Sequence, residues 1–294
     1  MQVRVVGRAK LNFVLRVLGK RPDGFHEIWS LMQTVALADD VTVRPAPRTD
    51  VHFELAAGLS GIPPEAPDLV ARAVELFALR AGMAERAEVH VLKRIPMAAG
   101  LAGGSADAAA ALLGMNTIAG GPMPPERLEA LGAELGSDVP FSLRGGMAVA
   151  TGRGERLASL HAGRRLWWVL GVSEFQLKTR DVYAHVRPGT SSQVAEPGAL
   201  LETVRTGSAE AVARCLGNDL EAAAFEMAPL LGARKGAVLE AGALGVVVSG
   251  SGPTIAGLCR DEEHARRVSA RLAGTFQQVE VVASADVGAE VQYR

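Results

Sequence analysis

Residues 96–111 read Pro96-Met97-Ala98-Ala99-Gly100-Leu101-Ala102-Gly103-Gly104-Ser105-Ala106-Asp107-Ala108-Ala109-Ala110-Ala111. An apolar run at Val89, Val91 and Ile95 leads into this stretch as a strand, and the alanines leave it as a helix. Between them, Gly100, Gly103 and Gly104 let the backbone approach a ligand without Cβ obstruction. Ser105 is of a type that caps helix N-termini. A helix start offers unpaired N–H groups and a positive dipole end to an anion. The stretch reads as a phosphate cradle or, taken alone, equally as a Gly-rich strand-to-helix turn that binds nothing.

Upstream, residues 3–55 read as β-rich. Val3 and Val5, then Phe13, Val14, Leu15 and Val17, form strand runs broken at Ala9-Lys10-Leu11-Asn12. Pro22-Asp23-Gly24 is a turn signal, Ile28–Leu37 is a further apolar run, and Val41/Val43 and Val51/Phe53/Leu55 alternate as half-buried strands do. Pro63, Pro64 and Pro67 mark a loop. A helix is predicted from about Asp68 to Arg80, with Gly82 past its end. Downstream, Pro124 and Pro125 open a helix closed by Gly136, and a strand covers Met147–Thr151.

Gly152-Arg153-Gly154 reads as a hinge between two domains, 1–153 and 154–294. The second half predicts a strand over Leu166–Val172 and a helix from about Thr179. A mobile polar loop follows at 188–198, then helices near 208–216, 218–231 and 233–241, with Asn218 as a cap. Strands flank a small-residue loop within 245–258, and a helix (262–273) and a last strand (279–283) close the chain. Early hairpins followed by helices indicate an α+β class. The strand and helix order of the second half fits a ferredoxin-like split βαβ layer.

The 294 residues suffice for one large or two medium domains, and 48% hydrophobic against 21% charged residues is a globular balance. A net charge of −1 excludes a broad electrostatic footprint for nucleic acid, so an anionic ligand must be held by local donors. Cys215 and Cys259 lie far apart in no metal-binding spacing and read as thiols of a reducing compartment. Neither a signal peptide nor a membrane-spanning run is read, so a soluble, cytoplasmic protein is expected.

No G-x-x-x-x-G-K-[ST] and no G-x-G-x-x-G after a strand is present, so the cradle lacks its own lysine and a dinucleotide fold is not indicated. Lys10 is a candidate cation, its alternative being a strand-edge lysine in water. Asp138, in Gly136-Ser137-Asp138-Val139-Pro140-Phe141, is a candidate base, its alternative being an Asx turn or helix cap. Together, a lysine can steer a substrate hydroxyl while a carboxylate accepts its proton. Ser249-Gly250-Ser251-Gly252 reads as a plain turn or as a second loop over a phosphate. His26 reads as a hydrogen-bonded surface residue, and Trp167-Trp168 as packing.

Taken together, Ala9-Lys10-Leu11-Asn12, Arg21-Pro22-Asp23-Gly24-Phe25-His26, the 96–109 loop, Gly136–Phe141 and Ser249–Gly252 resemble, in the same order, the motifs of the GHMP small-molecule kinases. The resemblance spans nearly the whole chain. It implies a two-domain fold, with an N-terminal β-rich α/β domain and a C-terminal ferredoxin-like α+β domain. It also implies ATP and Mg²⁺ as cofactors and phosphoryl transfer to a small alcohol, by a monomer or homodimer with no nucleic-acid or membrane partner.

The Pro-Asp-Gly-Phe-His segment points to members acting on a diphosphocytidyl sugar alcohol. On that reading Asp138 is the base and Lys10 polarises the reacting groups. Residues Pro96–Ala106 (Pro96, Met97, Ala98, Ala99, Gly100, Leu101, Ala102, Gly103, Gly104, Ser105, Ala106) wrap the ATP phosphates, with Ser105 near the metal. Asn12 meets the acceptor, His26 the cytosine, and Phe25 and Tyr183 sandwich the base. Thr179, Ser249, Gly250, Ser251 and Gly252 complete the acceptor side. The alternatives are the same fold with mevalonate or homoserine as acceptor, which lack a base to stack, and a non-catalytic ATP or metabolite sensor, which has no need of both Lys10 and Asp138.

Four departures carry expectations. Phe25 stands for the usual tyrosine and keeps a ring without a hydroxyl. Ala102 stands for a glycine, so a negative φ is expected there. Asp68 stands for an asparagine near the adenine. No second carboxylate for Mg²⁺ is evident, which leaves the ion mainly to the nucleotide phosphates.

Overall fold

The computed structural model describes residues 2–57, 59, 69–161, 163–186 and 197–293. The expected adenine contact at Asp68, the Pro63–Pro67 loop and most of the 188–198 loop lie outside them.

Two long antiparallel strands, β1 (Val3–Lys20) and β2 (His26–Ala46), form the frame and are joined by the turn at 21–25. The expected break at Ala9–Asn12 is absent. β1 runs through it, with register shifts between Arg8 and Lys10 and between Asn12 and Val14. Every residue from Ala9 to Val14 is buried, because packed layers cover both faces of the strand there. The period-2 alternation therefore vanishes, and bulges re-aim the side chains.

β3 (Asp50–Leu55) is the parallel neighbour of β4 (Arg86–Lys93), and α1 (Leu69–Ala81) lies between them in the chain. After the glycine loop come α2 (Gly103–Ile118), α3 (Pro125–Leu135), α4 (Val139–Arg144), β5 (Met147–Gly152) and β6 (Arg156–Leu160). α1, α2 and α3 cover one face of the sheet through Val74 and Phe77, Leu112 and Met115, and Leu128 and Leu131, set against Val3, Val5, Val41, Val43, Val89 and Val91. The alanines of α2 are buried because the helix lies close on the sheet. A Cβ at Gly7 of β1 would meet the Ala106 carbonyl oxygen at 2.6 Å.

The second half runs β7 (Trp167–Val172), α5 (Thr179–Ala184), α6 (Pro197–Thr206), α7 (Ala209–Ala213), β8 (Gly217–Asn218), α8 (Glu221–Met227) and α9 (Pro229–Glu240). It continues through β9 (Gly245–Val248), β10 (Ile255–Cys259), α10 (Glu262–Arg271), β11 (Gln278–Ala283) and β12 (Glu290–Tyr293). The antiparallel order β11-β7-β10-β9 is the α+β layer expected of this half. Leu11 and Phe13 of β1 pack with Trp168, Leu170, Val247 and Leu258 of this layer, so one apolar cluster joins the two sheets. Trp168 is packing, as read, and its indole N–H donates to Gln33 Oε1 at 3.1 Å.

Gly152-Arg153-Gly154 is not a hinge. It is the tight turn between β5 and β6, two paired strands of the first sheet, with positive φ at Gly152 and Gly154. The chain leaves that sheet only after Leu160, and two later strands return to it. β8 pairs with β1, and β12 pairs with β1 and is held by an ion pair from Arg8 to Glu290 at 2.6 Å. Asn218 is not a helix cap. It lies in β8, where its Oδ1 accepts from the Leu220 N–H and its Nδ2 donates to the carbonyls of Val248 and Gly250.

Candidate active site

The glycine loop lies between β4 and α2. Helix α2 begins at Gly103, one turn before the start that a Ser105 cap implies, so Ser105 is the third helical residue and Ala102 is the cap. The first intrahelical bond of this turn runs from the Ala106 N–H to the Ala102 carbonyl at 2.9 Å. The N–H groups of Gly103, Gly104 and Ser105 precede it and have no helical partner, and Ala102 has no side-chain oxygen to cap them. Sixteen aligned peptides add their dipole to these donors.

Ala102 has φ 56° and ψ 33°, which contradicts the negative φ expected there. The loop reverses direction at this residue, and an alanine there carries a left-handed strain of about 1–2 kcal/mol. Ala102→Gly is therefore expected to raise unfolding stability by about 1 kcal/mol in urea titration. Unchanged or lower stability would contradict this backbone.

Gly100 also has a positive φ, 77°, and a Cβ there would lie 2.4 Å from the Ser249 carbonyl oxygen and 2.9 Å from that of Gly252. The two small-residue loops thus pack backbone to backbone. Ser249 Oγ donates to the Gly100 carbonyl at 3.0 Å, and the Thr254 N–H to that of Ala99 at 3.2 Å. Asn218, from below, holds the Gly250 carbonyl at 2.6 Å. Thr179 Oγ1 lies 3.0 Å from Ser251 Oγ and adds α5 to the same assembly.

Lys10 joins the loops to Asp138. Its backbone N–H donates to the Leu101 carbonyl at 3.1 Å. Its side chain is only 7% exposed, which excludes a lysine facing water, and Nζ lies 3.4 Å from Asp138 Oδ2. Nζ also donates to Asn12 Oδ1. Asn12 Nδ2 donates to Ser30 Oγ at 2.9 Å, and Ser30 Oγ to the Val14 carbonyl at 2.7 Å, which fixes the amide with its oxygen toward the lysine. Asp138 does occupy the cap position of α4, yet its side chain makes no cap bond. Its carboxylate, 34% exposed, is available to a ligand.

The rings of His26 and Tyr183 face each other, with centroids 5.1 Å apart and planes at 33°. Burial, and to a lesser extent the charge of Asp138, push the Tyr183 hydroxyl well up. Burial, then the charge of Lys20, lower the His26 pKa, so the imidazole is neutral near pH 7.

The sandwich expected of Phe25 and Tyr183 is not the contact observed. Phe25 is 50% exposed and carries the Arg153 guanidinium 4.8 Å from its ring centre. Phe25 lies in the bend before β2, and it is the ring of His26, the first residue of the strand, that meets Tyr183. The turn that presents them is built by Arg21, which pairs with Asp23 at 3.0 Å and Glu27 at 2.6 Å. Glu27 in turn accepts the Gly152 N–H at 3.1 Å.

Three further residues escaped the sequence reading. Lys93, at the end of β4, is buried between Asp39 and Asp107, 2.7 Å from the latter. Asp39 also accepts the Ile95 N–H at 2.8 Å and so fixes the strand end that delivers the glycine loop. Asp107 lies on α2, and its burial pushes its carboxyl well above the usual range against the opposing charge of Lys93. Read singly, each looks like a solvated charge.

The GHMP kinases N terminal domain pattern matches residues 68–146, and the GHMP kinases C terminal pattern matches residues 200–278. The 4-diphosphocytidyl-2-C-methyl-D-erythritol kinase of Pelotomaculum thermopropionicum is 43% identical over 279 residues, covering 95% of this chain and 96% of that one. The chain belongs to the 4-diphosphocytidyl-2-C-methyl-D-erythritol kinase family of the GHMP kinases. A crystal structure of 4-(cytidine 5'-diphospho)-2C-methyl-D-erythritol kinase superposes with a TM-score of 0.79 at 32% identity, covering 97% and 99% of the two chains. Homoserine kinase from Cytophaga hutchinsonii shares the fold, with a TM-score of 0.77 at 20% identity over 99% and 97%.

As a GHMP kinase, the chain is an ATP-dependent enzyme acting on a small molecule. The donors at the start of α2 and the Gly100–Ser105 backbone fit a polyphosphate. Among the described residues no helix is long and apolar enough to cross a membrane.

Proposed function

We propose that this GHMP kinase transfers the γ-phosphoryl group of ATP to the 2-hydroxyl of 4-diphosphocytidyl-2-C-methyl-D-erythritol, in the non-mevalonate route to isoprenoid precursors. The observation that carries the proposal is the Lys10–Asp138 pair, 3.4 Å apart, tied to the glycine loop by the Lys10 N–H on the Leu101 carbonyl and to Tyr183 by the Asp138 charge acting on that hydroxyl. The polyphosphate rests on residues 96–106. Asp138 accepts the proton of the acceptor hydroxyl, whose oxygen bonds to the γ-phosphorus as the bond to the ADP oxygen breaks. Lys10, aimed by Asn12, neutralises charge that grows on the transferring group.

Mg²⁺, a hard ion that prefers oxygen ligands, supplies charge neutralisation on the phosphates when bound. Ser105 in the first turn of α2 is the residue here that would reach it, because Asp107 is committed to Lys93. His26 reads the cytosine in its neutral form, with Tyr183 and Phe25 as apolar ring faces beside it, and Thr179 and residues 249–252 close the acceptor side. The two free thiols, Cys215 and Cys259, accord with a cytoplasmic setting.

His26→Ala is expected to raise KM for the cytidine-bearing acceptor about tenfold with kcat little changed, as loss of uniform binding does. A pure loss of kcat would place His26 in the chemistry. The same KM should stay flat at neutral and alkaline pH and rise as pH falls through the lowered His26 pKa, because protonation removes the acceptor nitrogen.

The reaction itself is tested by its product. C2 of this acceptor carries no hydrogen, so the new phosphate monoester should give a ³¹P resonance free of three-bond proton coupling. A proton-coupled monoester resonance would place the phosphoryl group elsewhere and overturn the assignment.

A further inference from the structure

β3 is the edge strand of the first sheet, and its parallel register on β4 sets His52 opposite His90 and Asp50 opposite Glu88. Alternation along β4 sends Val89 and Val91 into the core and turns Glu88 and His90 outward, away from α1 and α2. The two imidazoles stack across the strands, with centroids 4.8 Å apart and planes at 27°. Glu88 Oε1 lies 2.8 Å from His90 Nε2 and 3.8 Å from His52 Nε2, and Asp50 Oδ2 lies 3.6 Å from His52 Nε2. Ligand atoms of His52, Glu88 and His90 all fall within 4.8 Å of one another.

A tetrahedral ion with bonds of about 2.0–2.1 Å holds its ligands about 3.3 Å apart. The separations to Glu88 straddle that value, and side chains 37–50% exposed are free to make the adjustment. We propose that His52, His90 and Glu88 bind a borderline divalent transition-metal ion, Zn²⁺ by donor type, with Asp50 or water in the fourth position. Two imidazole nitrogens with a carboxylate suit Zn²⁺, Ni²⁺ or Cu²⁺ and are poor ligands for Mg²⁺. The site is therefore chemically separate from the nucleotide's metal requirement. The ion would bridge β3 to β4 and secure an edge strand that has one neighbour.

Titration calorimetry of the whole chain with ZnCl₂, free of nucleotide, tests the proposal. One equivalent should bind, millimolar MgCl₂ should not compete, and His52→Ala and His90→Ala should each weaken binding about tenfold or more. In the unaltered protein, Zn²⁺ should protect His52 and His90 from diethyl pyrocarbonate, read by mass spectrometry, while the exposed His161 and His185 stay reactive. This second readout does not depend on the variants folding. Absence of Zn²⁺ binding, binding that survives both substitutions, or equal protection of all four histidines would overturn it.

Discussion

Asp138→Asn should lower kcat by about 10²–10⁴-fold, the range spanned by general acid–base groups, while ATP binding is retained. The amide is isosteric, and Asp138 makes no side-chain cap bond to α4, so the fold loses nothing but a charge. Lys10 keeps Asn12 as a partner and stays in place. On the proposed reading the variant still seats ATP on the glycine loop, because the phosphates are assigned to the Gly103–Ser105 N–H groups and not to the carboxylate. Turnover near that of the unaltered enzyme would remove Asp138 as the base. A parallel loss of ATP affinity would make it a binding residue. A pre-steady-state measurement of ADP formation, paired with calorimetric ATP binding, separates these outcomes.

Lys93→Met should destabilise the protein by about 3–5 kcal/mol in urea unfolding, the cost of leaving buried charge uncompensated. Lys93 is 3% exposed. Burial alone disfavours its ammonium, yet the charges of Asp107 and Asp39 hold its pKa above the usual value. Removing it sets two carboxylates together beneath the phosphate loop. Lys93→Met combined with Asp107→Leu and Asp39→Asn should recover much of the loss, since no charge is then left buried without a counter-charge. A cost below about 1 kcal/mol for the single variant would mean that the three groups are wetter than this packing allows.

The strand–loop–helix at 86–118 was legible because its signals are local: alternating valines, clustered glycines and a run of alanines. The second sheet was legible for the same reason. β1 was misread as two runs because burial on both faces at Ala9–Val14 erases the alternation that marks a strand. Gly152-Arg153-Gly154 was ambiguous because positive-φ glycines serve a hinge and a hairpin turn alike, and only pairing of β5 with β6 decides. β12, four residues long, has too little pattern to stand out.

At the site, Lys10 and Asp138 stand out in the sequence only as separate candidates, and their meeting is a property of the tertiary fold. Ser30, Asp39 and Lys93 escape the sequence, and Asn218 reads there as a cap, because a polar residue acquires its role from partners on other elements and no spacing rule connects them. Motif position pairs Phe25 with Tyr183, whereas the ring that meets Tyr183 in the fold is that of His26. Ala102 shows a converse lesson: a residue unsuited to positive φ adopts it where the surrounding loop requires it.

The most direct test is ADP release, in a coupled assay, with three acceptors offered separately to the same enzyme and ATP. With 4-diphosphocytidyl-2-C-methyl-D-erythritol, ADP should appear at a saturable rate that Asp138→Asn lowers by about 10²–10⁴-fold, and mevalonate and homoserine should give only the acceptor-free background. Saturable ADP release with mevalonate or homoserine, and none with the cytidine-bearing acceptor, would contradict the assignment.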